Sequence, residues 1–270
     1  MMRRLKWILA ILVALFILLW INLASVIRLF VLQPEVLEKD YTFNLPYPFQ
    51  EINLLTPDGA ELNGLWLPVQ EAKATILYFH GNRDNLVRWV EIAQQYKKYG
   101  TNVMVVDYRS YGKSTGKVSE ENLLQDAILW YEKALELSKG QKIILFGRSL
   151  GSGFAIYVAN QKKVEALILE TPYTSMVAVI DAHVPYFIAQ RTDLKLKNED
   201  FLSKIKVPTI IFHGTADEVI PYEIGRKVYT SMGPQTTKLV TLDSGGHNNL
   251  SSFSDYWNEL DDWMGKLIEK

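Results

Sequence analysis

The sequence predicts an α/β protein in which helices cover both faces of a mostly parallel central sheet. Short apolar runs rich in β-branched residues recur along the chain, and amphipathic helical patterns separate them. Such alternation of strands and helices is typical of a parallel sheet. The chain has 270 residues, and the part that follows an apolar N-terminal segment suits one domain of this kind.

The N-terminal segment is apolar enough to form a transmembrane helix. Residues 7–27 contain only two polar side chains, Asn22 and Ser25, and as a helix they would span about 30 Å at 1.5 Å per residue. Basic residues within positions 1–6 favour a cytoplasmic N-terminus. A cleaved signal peptide is the alternative, but an A-x-A-like cleavage site does not follow the run.

These features divide the chain into two parts. We assign residues 1–34 to a single-pass anchor in the cell membrane and the start of a linker, and residues 35–270 to the folded domain. Prolines mark residues 33–49 as linker. If the N-terminus is cytoplasmic, the folded domain lies on the extracytoplasmic side of the membrane.

The composition excludes several classes of function. A net charge of -1 and a pI near 6.5 give no basic surface for nucleic acid. The absence of cysteine excludes disulfides, thiolate metal sites and a cysteine nucleophile. Residues 112–114 resemble the end of a P-loop, but Asp107 stands where the motif needs its first glycine. We expect no metal, because no HExxH or comparable spacing occurs, and no cofactor.

The folded domain begins with a hairpin and continues as strands and helices in turn. Residues 51–55 and 61–67 flank a Thr-Pro-Asp-Gly turn and predict an antiparallel hairpin at a sheet edge. The further predicted strands are 74–79, 102–106, 143–146, 164–169, 208–212 and 238–242. Helices are predicted around residues 89–96, 124–135, 154–159 and 253–267.

One strand leads directly into a motif that indicates chemistry. Residues 147–151 read Gly-Arg-Ser-Leu-Gly between a strand and a helix, which is the setting of a nucleophile elbow. The turn is so sharp that positions beside Ser149 cannot carry bulky side chains, which explains Gly147 and Gly151. A glycine-rich turn with an incidental serine is the alternative for this motif alone.

Two later strand ends carry the partners that a serine nucleophile needs. Asp217 follows the strand that ends at 212, and His247 follows the last strand. Carboxyl ends of parallel strands meet at one edge of the sheet. An imidazole can take the serine proton and return it to a leaving group, and a carboxylate fixes the imidazole tautomer. We therefore predict a catalytic triad of Ser149, His247 and Asp217.

Other polar residues at strand ends have predicted supporting roles. The backbone amides of Leu150 and Asn82 are the expected oxyanion donors. His80 and His213 are alternatives for the base. A histidine that directly follows a strand and precedes glycine more often stabilises a loop through hydrogen bonds. Asp107 is expected to hold a turn beneath the site.

With these residues assembled, the chain resembles the α/β-hydrolase superfamily over nearly everything after the anchor, and most of all its membrane-anchored abhydrolase-domain serine hydrolases. The motifs that carry the resemblance are YFHGNRDN at 78–85, DYRSYGKSTG at 107–116, GRSLGSG at 147–153, HGTADEVIP at 213–221 and GGHNN at 245–249. It implies the α/β-hydrolase fold and a serine hydrolase of the esterase, lipase, thioesterase or, more loosely, peptidase type. Ser110 stands where a glycine is common in this family.

An insertion at about residues 172–206 is the predicted lid. Its first half is strongly apolar, and its second half is charged. One interpretation is a cap helix that packs on the domain. The other is an apolar roof over an acyl-chain pocket that faces the membrane.

We therefore predict a serine hydrolase that cleaves carboxylic esters or thioesters through an acyl-enzyme intermediate. Its expected partner is a small acyl substrate, which can be a lipid. A serine peptidase of the same fold is the alternative. It would need a pocket for a charged amino terminus, and the lid has no dedicated acidic cluster, although Glu199 and Asp200 keep this alternative open. A noncatalytic, membrane-tethered binding module is a third possibility, which the complete triad disfavours.

Overall fold

The protein is described by a computed structural model that covers residues 2–268. Its strands are β1 (Gln33–Pro34), β2 (Gln50–Leu55), β3 (Glu61–Leu67), β4 (Ala74–Phe79), β5 (Arg83–Asp84), β6 (Thr101–Val106), β7 (Lys142–Arg148), β8 (Ala166–Glu170), β9 (Thr209–Gly214) and β10 (Thr237–Leu242). Its helices are α1 (Met2–Ile21), α2 (Leu23–Val31), α3 (Leu86–Ala93), α4 (Glu120–Leu137), α5 (Leu150–Gln161), α6 (Met176–Asp181), α7 (Tyr186–Ala189), α8 (Tyr222–Met232) and α9 (Ser254–Ile268).

Eight of these strands form the central sheet, in the spatial order β10, β9, β8, β7, β4, β6, β3, β2. β3 is antiparallel to both of its neighbours, and all other pairs in this sheet are parallel. The predicted mostly parallel sheet is confirmed, and so is the hairpin at its edge. β4 and β6 are buried at every position because elements cover both of their faces.

Neighbouring residues of the central strands point to opposite faces of the sheet and so contribute to two apolar cores. Tyr78 of β4 packs in one core with Trp89 of α3 and residues of α9. Phe79 packs in the other core with Trp130 of α4 and residues of α5. The helices of these two cores hold the carboxyl ends of the parallel strands at one edge of a rigid sheet.

The apolar N-terminal run is divided at Asn22, whereas the sequence predicted one helix over residues 7–27. Asn22 is a single turn residue between α1 and α2, and its side chain donates to the Leu18 carbonyl, one turn earlier, at 2.8 Å. α2 then packs against the folded domain and buries Ile27 and Val31. The side chains of α1 whose burial the structure describes are exposed, and the helix is long and apolar enough to cross a membrane.

The segment predicted as a linker is bonded to the domain. β1 pairs in parallel with β5, and the Gln33 amide donates to the Asn82 carbonyl at 2.9 Å. The Gly112 amide donates to the Glu35 carbonyl, also at 2.9 Å. The chain that leaves α2 is therefore attached to the loops that follow β4 and β6.

The insertion between β8 and β9 contains α6 and α7 and then two short 3-10 turns. Its charged second half also contributes apolar side chains to the core, because Leu194, Leu196, Leu202 and Ile205 are buried between exposed charges. Its apolar first half lies near the carboxyl ends of the strands, where the candidate site is found.

Candidate active site

Ser149 lies at the turn between β7 and α5. Its backbone has φ +50° and ψ -118°, a conformation that residues other than glycine rarely adopt. A Cβ on Gly147 would lie 2.6 Å from the Ser152 Cα, and one on Gly151 would lie 2.0 Å from the Phe79 carbonyl oxygen. The prediction that Gly147 and Gly151 stand where a bulky side chain cannot fit is confirmed.

The structure brings together the three side chains predicted to form a triad. Ser149 Oγ lies 3.0 Å from His247 Nε2, and His247 Nδ1 lies 2.9 Å from Asp217 Oδ2. The loops after β9 and β10 supply the acid and the imidazole, and the end of β7 supplies the serine. An imidazole whose Nδ1–H donates to a carboxylate can accept the serine proton at Nε2.

The Asp217 carboxylate is buried but well supplied with hydrogen-bond donors. Burial acts to raise its pKa, but hydrogen bonds from His213, His247 and the Ile220 amide outweigh burial and hold the pKa well below its usual range. The Val219 and Ile220 amides donate to Asp217 Oδ1 at 2.9 and 2.8 Å. Asp217 is therefore ionised at neutral pH, the state that orients an imidazole.

His213 and His80, the two alternatives for the base, stabilise loops through hydrogen bonds. His213 is buried, and its Nε2 lies 2.8 Å from the Ile220 carbonyl oxygen and 3.4 Å from Asp217 Oδ2. His80 is also buried, with Nε2 3.1 Å from Asp107 Oδ1. Among the residues that the structure describes, His247 is the histidine bonded to the Ser149 hydroxyl.

Asp107 lies in the loop after β6 and supports the neighbouring loop. Besides His80, its carboxylate accepts the Leu86 amide at the start of α3, at 3.3 Å. Burial raises its pKa, although the His80 contacts act in the opposite direction. Ser110, three residues further along the chain, has φ +73°, a conformation that favours glycine and explains why glycine suits this position.

The loop after β4 lies against the nucleophile. A Cβ on Gly81 would lie 3.9 Å from the Ser149 Cβ and 3.2 Å from the Trp89 ring. Asn82, one of the two predicted oxyanion donors, lines the same cavity as Ser149 and Leu150. The loop thus brings its backbone close to the serine.

Two donors hold the Asn82 peptide in place. Its carbonyl oxygen accepts the Gln33 amide at 2.9 Å and the Tyr111 hydroxyl at 2.7 Å. The first contact comes from the chain that leaves α2, and the second comes from the loop after β6. The position of this peptide therefore depends on the N-terminal segment as well as on the sheet.

Arg148 connects the elbow to the base loop, a role that the sequence analysis did not identify. Its Nη2 donates to Asn248 Oδ1 at 3.2 Å, its Nε lies 3.5 Å from Glu170 Oε2, and its guanidinium lies 5.1 Å from the Trp89 ring centroid. Asn248 directly follows His247. The available signal was a charged residue at the end of an otherwise apolar strand, directly before the serine.

An apolar cavity of about 460 Å³ opens beside Ser149, a size typical of small-molecule sites. The insertion contributes Met176, Ile180 and Ile188 to its walls, and α2 contributes further apolar side chains. The first five residues of α2 lie within the membrane span predicted over residues 7–27. Among residues 2–268, no group of three or more acidic, histidine or cysteine side chains could hold a metal ion.

Comparisons with known proteins identify the family. A family model described as "Serine aminopeptidase, S33" matches residues 70–191. Protein bem46 of Schizosaccharomyces pombe is 30% identical over 237 residues, which cover 83% of this chain and 78% of that protein. The chain belongs to the α/β-hydrolase superfamily. A membrane protein of Saccharomyces cerevisiae is 27% identical to this α/β-hydrolase over 234 residues, covering 83% of this chain and 81% of its own.

Solved structures share the fold of this α/β-hydrolase. An esterase from Pyrococcus furiosus matches with a TM-score of 0.70 at 17% identity, over 88% of this chain and 98% of that one. A monoglyceride lipase from Saccharomyces cerevisiae matches with a TM-score of 0.64 at 19% identity, over 84% and 98%. The predicted fold and the resemblance to abhydrolase-domain proteins are confirmed, and membership of this family supports a hydrolase.

Proposed function

We propose that this α/β-hydrolase cleaves carboxylic esters or thioesters of fatty acids through an acyl-enzyme intermediate. The observation that carries the proposal is the hydrogen-bonded series Ser149, His247, Asp217 beside an apolar cavity. Ser149 is the nucleophile, His247 the base and then the acid, and Asp217 the group that orients the imidazole.

The reaction follows from these contacts. His247 Nε2 takes the hydroxyl proton as Ser149 Oγ bonds to the acyl carbon, and the backbone amides of Leu150 and Asn82 hold the resulting oxyanion. The intermediate collapses, and the leaving alcohol or thiol departs with the proton from His247. Water, activated by the same imidazole, then attacks the acyl-serine and releases the acid.

The lining of the cavity supports an acyl substrate. Burial of each methylene contributes about 0.8 kcal/mol, or about fourfold in kcat/KM, until the cavity is filled. Among the structural neighbours, one is by its description a monoglyceride lipase. Both points favour a substrate with an alkyl chain.

A serine peptidase is the second candidate, because the matching family model carries the description of an aminopeptidase. Glu199 and Asp200 are exposed in the second half of the insertion. Neither is among the described residues that line the cavity. This arrangement favours the ester hydrolase, because an amino terminus bound in the cavity would lack their carboxylates.

We further propose that α1 anchors the enzyme as a single-pass helix in the cell membrane, with a cytoplasmic N-terminus and an extracytoplasmic catalytic domain. Its length and hydropathy support a span, and one relative is called a membrane protein. In this proposal residues 1–34 contain the anchor, which is α1, and continue through α2 to the start of the linker. Residues 35–270 form the main body of the catalytic domain, and residues 172–206 form the lid.

The test combines active-site labelling with turnover. We expect a fluorophosphonate probe to label the full chain in detergent, and Ser149→Ala to abolish labelling and lower ester turnover by roughly 10⁶-fold. Ser251→Ala, at an exposed serine, is the control and should behave as the wild type. Undiminished labelling of Ser149→Ala would refute the proposed nucleophile.

The same preparation distinguishes the substrate classes. We expect hydrolysis of p-nitrophenyl esters to exceed that of aminoacyl p-nitroanilides. Faster cleavage of the anilides would favour the peptidase. An unlabelled wild-type protein without esterase activity would favour a noncatalytic binding module.

A further inference from the structure

α2 forms one wall of the cavity beside Ser149. The residues that it contributes recur at intervals of three, one, three and one, which places them on one face of the helix. They are Leu23, Val26, Ile27, Phe30 and Val31. Leu29 is 73% exposed and is not among the described cavity residues. α2 therefore presents one face to the cavity and another away from it.

The insertion forms the opposite wall and contacts the N-terminal helices directly. Arg28 of α2 forms an ion pair with Asp193. The Trp20 ring, near the end of α1, stacks on Phe187 of α7 with ring centroids 6.4 Å apart. Because these contacts connect both helices to the insertion, the roof of the cavity is built from two distant parts of the chain.

The mouth of the cavity is apolar. Phe30 and Val219 line the cavity but are 72% and 45% exposed, so they lie at its opening. Tyr186 and Phe187 of α7 are 60% and 54% exposed and lie beside the end of α1 through the contact with Trp20. Exposed large apolar side chains beside a helix that can cross a membrane fit a lipid surface.

We infer that α2 is a specificity-determining wall that binds the acyl chain of a lipid ester, and that the chain enters from the bilayer between Phe30 and Val219. This inference rests on the proposed function and adds that the N-terminal segment is part of the substrate site. The cavity offers an acyl chain apolar contacts along α2 and the insertion, with the Ser149 hydroxyl at one side. The carbonyl of the ester would lie at Ser149 and the alkyl chain along α2.

The wall is tested with the same substitution at two positions of α2 that are three residues apart, one that lines the cavity and one that does not. Val26→Trp adds bulk inside the cavity, and Leu29→Trp adds the same side chain on the exposed face. The full-length variants are assayed in detergent micelles with p-nitrophenyl acetate and p-nitrophenyl palmitate. We expect Val26→Trp to lower the palmitate-to-acetate ratio of kcat/KM by roughly 60-fold, as for exclusion of about three methylenes at about fourfold each. Leu29→Trp should keep the ratio within about twofold, because it adds no buried methylene to the cavity.

The mouth is tested with Phe30→Glu and its control Leu29→Glu, in vesicles of neutral phospholipid that carry the palmitate ester. We expect Phe30→Glu to lower palmitate hydrolysis at least roughly tenfold relative to Leu29→Glu, because a carboxylate at the opening opposes passage of an alkyl chain. Equal rates for this pair would overturn the proposed route from the bilayer.

The outcomes separate this inference from the proposed function. A wild-type protein without Ser149-dependent labelling and acetate hydrolysis would refute the function itself. An active wild type with equal palmitate-to-acetate ratios in Val26→Trp and Leu29→Trp would overturn only the role of α2. A proportional loss of both activities in Val26→Trp also contradicts the inference, because it leaves the ratio unchanged.

Discussion

The buried charge of Arg148 stabilises the candidate site through contacts with two other parts of the chain. Its guanidinium lies between Asn248, next to the imidazole, and Glu170 at the end of β8. The Glu170 carboxylate also accepts hydrogen bonds from the Tyr256 and Tyr96 hydroxyls, which belong to the core on that face of the sheet. Removing the arginine would leave a buried carboxylate without its cation, which costs more than the ion pair contributes.

We therefore expect Arg148→Met to lower the free energy of unfolding by about 3 to 5 kcal/mol. Urea denaturation followed by tryptophan fluorescence measures this change. Arg226→Met is the matched control, because Arg226 pairs with Glu223 at the surface, where ion pairs contribute little. Equal denaturation midpoints for the two variants would contradict this prediction, because they would show that other groups stabilise the Glu170 carboxylate when Arg148 is replaced.

At the scale of elements, the elbow depends on how closely α5 approaches β4. Gly151 lies in the first turn of α5, against the backbone of β4, and a Cβ there would lie 2.0 Å from the Phe79 carbonyl oxygen. A carbonyl in a central strand cannot move aside without breaking its ladder. The absence of a side chain at this position is therefore a packing requirement of the helix and the strand together.

Gly151→Ala should accordingly destabilise the fold by about 1 to 3 kcal/mol or more. Gly265→Ala provides the contrast, because Gly265 lies in α9 with no atom within 4 Å of an added Cβ. There the substitution should stabilise the protein by about 0.5 to 1 kcal/mol, since alanine suits a helix interior better than glycine. Thermal unfolding of both variants in detergent shows whether each substitution lowers or raises the melting temperature. A shift of the same sign in both would contradict the packing argument.

At the scale of the whole molecule, the N-terminal helices have different surroundings. The side chains of α1 whose burial the structure describes are exposed, whereas α2 packs on the domain and its following chain bonds to the loop beside Ser149. If α1 is the anchor, its removal should release the protein from the membrane without opening the site. Removal of α2 as well would expose the core residues that contact Ile27 and Val31.

Deletion of residues 1–21 is therefore expected to move the protein from the membrane pellet to the soluble fraction while Ser149 remains labelled by a fluorophosphonate. The full chain, which should stay in the pellet after a high-pH wash, is the control. Retention of the shortened protein in the pellet after the same wash would contradict the assignment of α1 as the anchor, because α2 alone would then hold the membrane.

Much of the fold was predictable because its signals are local. The period of apolar residues identifies strands and helices, and the glycines beside Ser149 reflect the sterics of one turn. The proximity of Ser149, Asp217 and His247 then follows from their places after β7, β9 and β10, because parallel strands end at the same edge of the sheet. The bonds of Arg148 to two other strand ends were not predictable, since they join residues that only packing brings together.

The α/β class, the elbow and the residue types at the strand ends can all be read from local sequence patterns. The division of the apolar run of residues 7–27 at Asn22, and the packing of Ile27 against the domain, are evident only once the chain is folded. Lipid and a protein core both bury apolar side chains, so composition alone does not distinguish a helix in one from a helix in the other. Which of the two covers α2 depends on the surface that the rest of the fold presents to it.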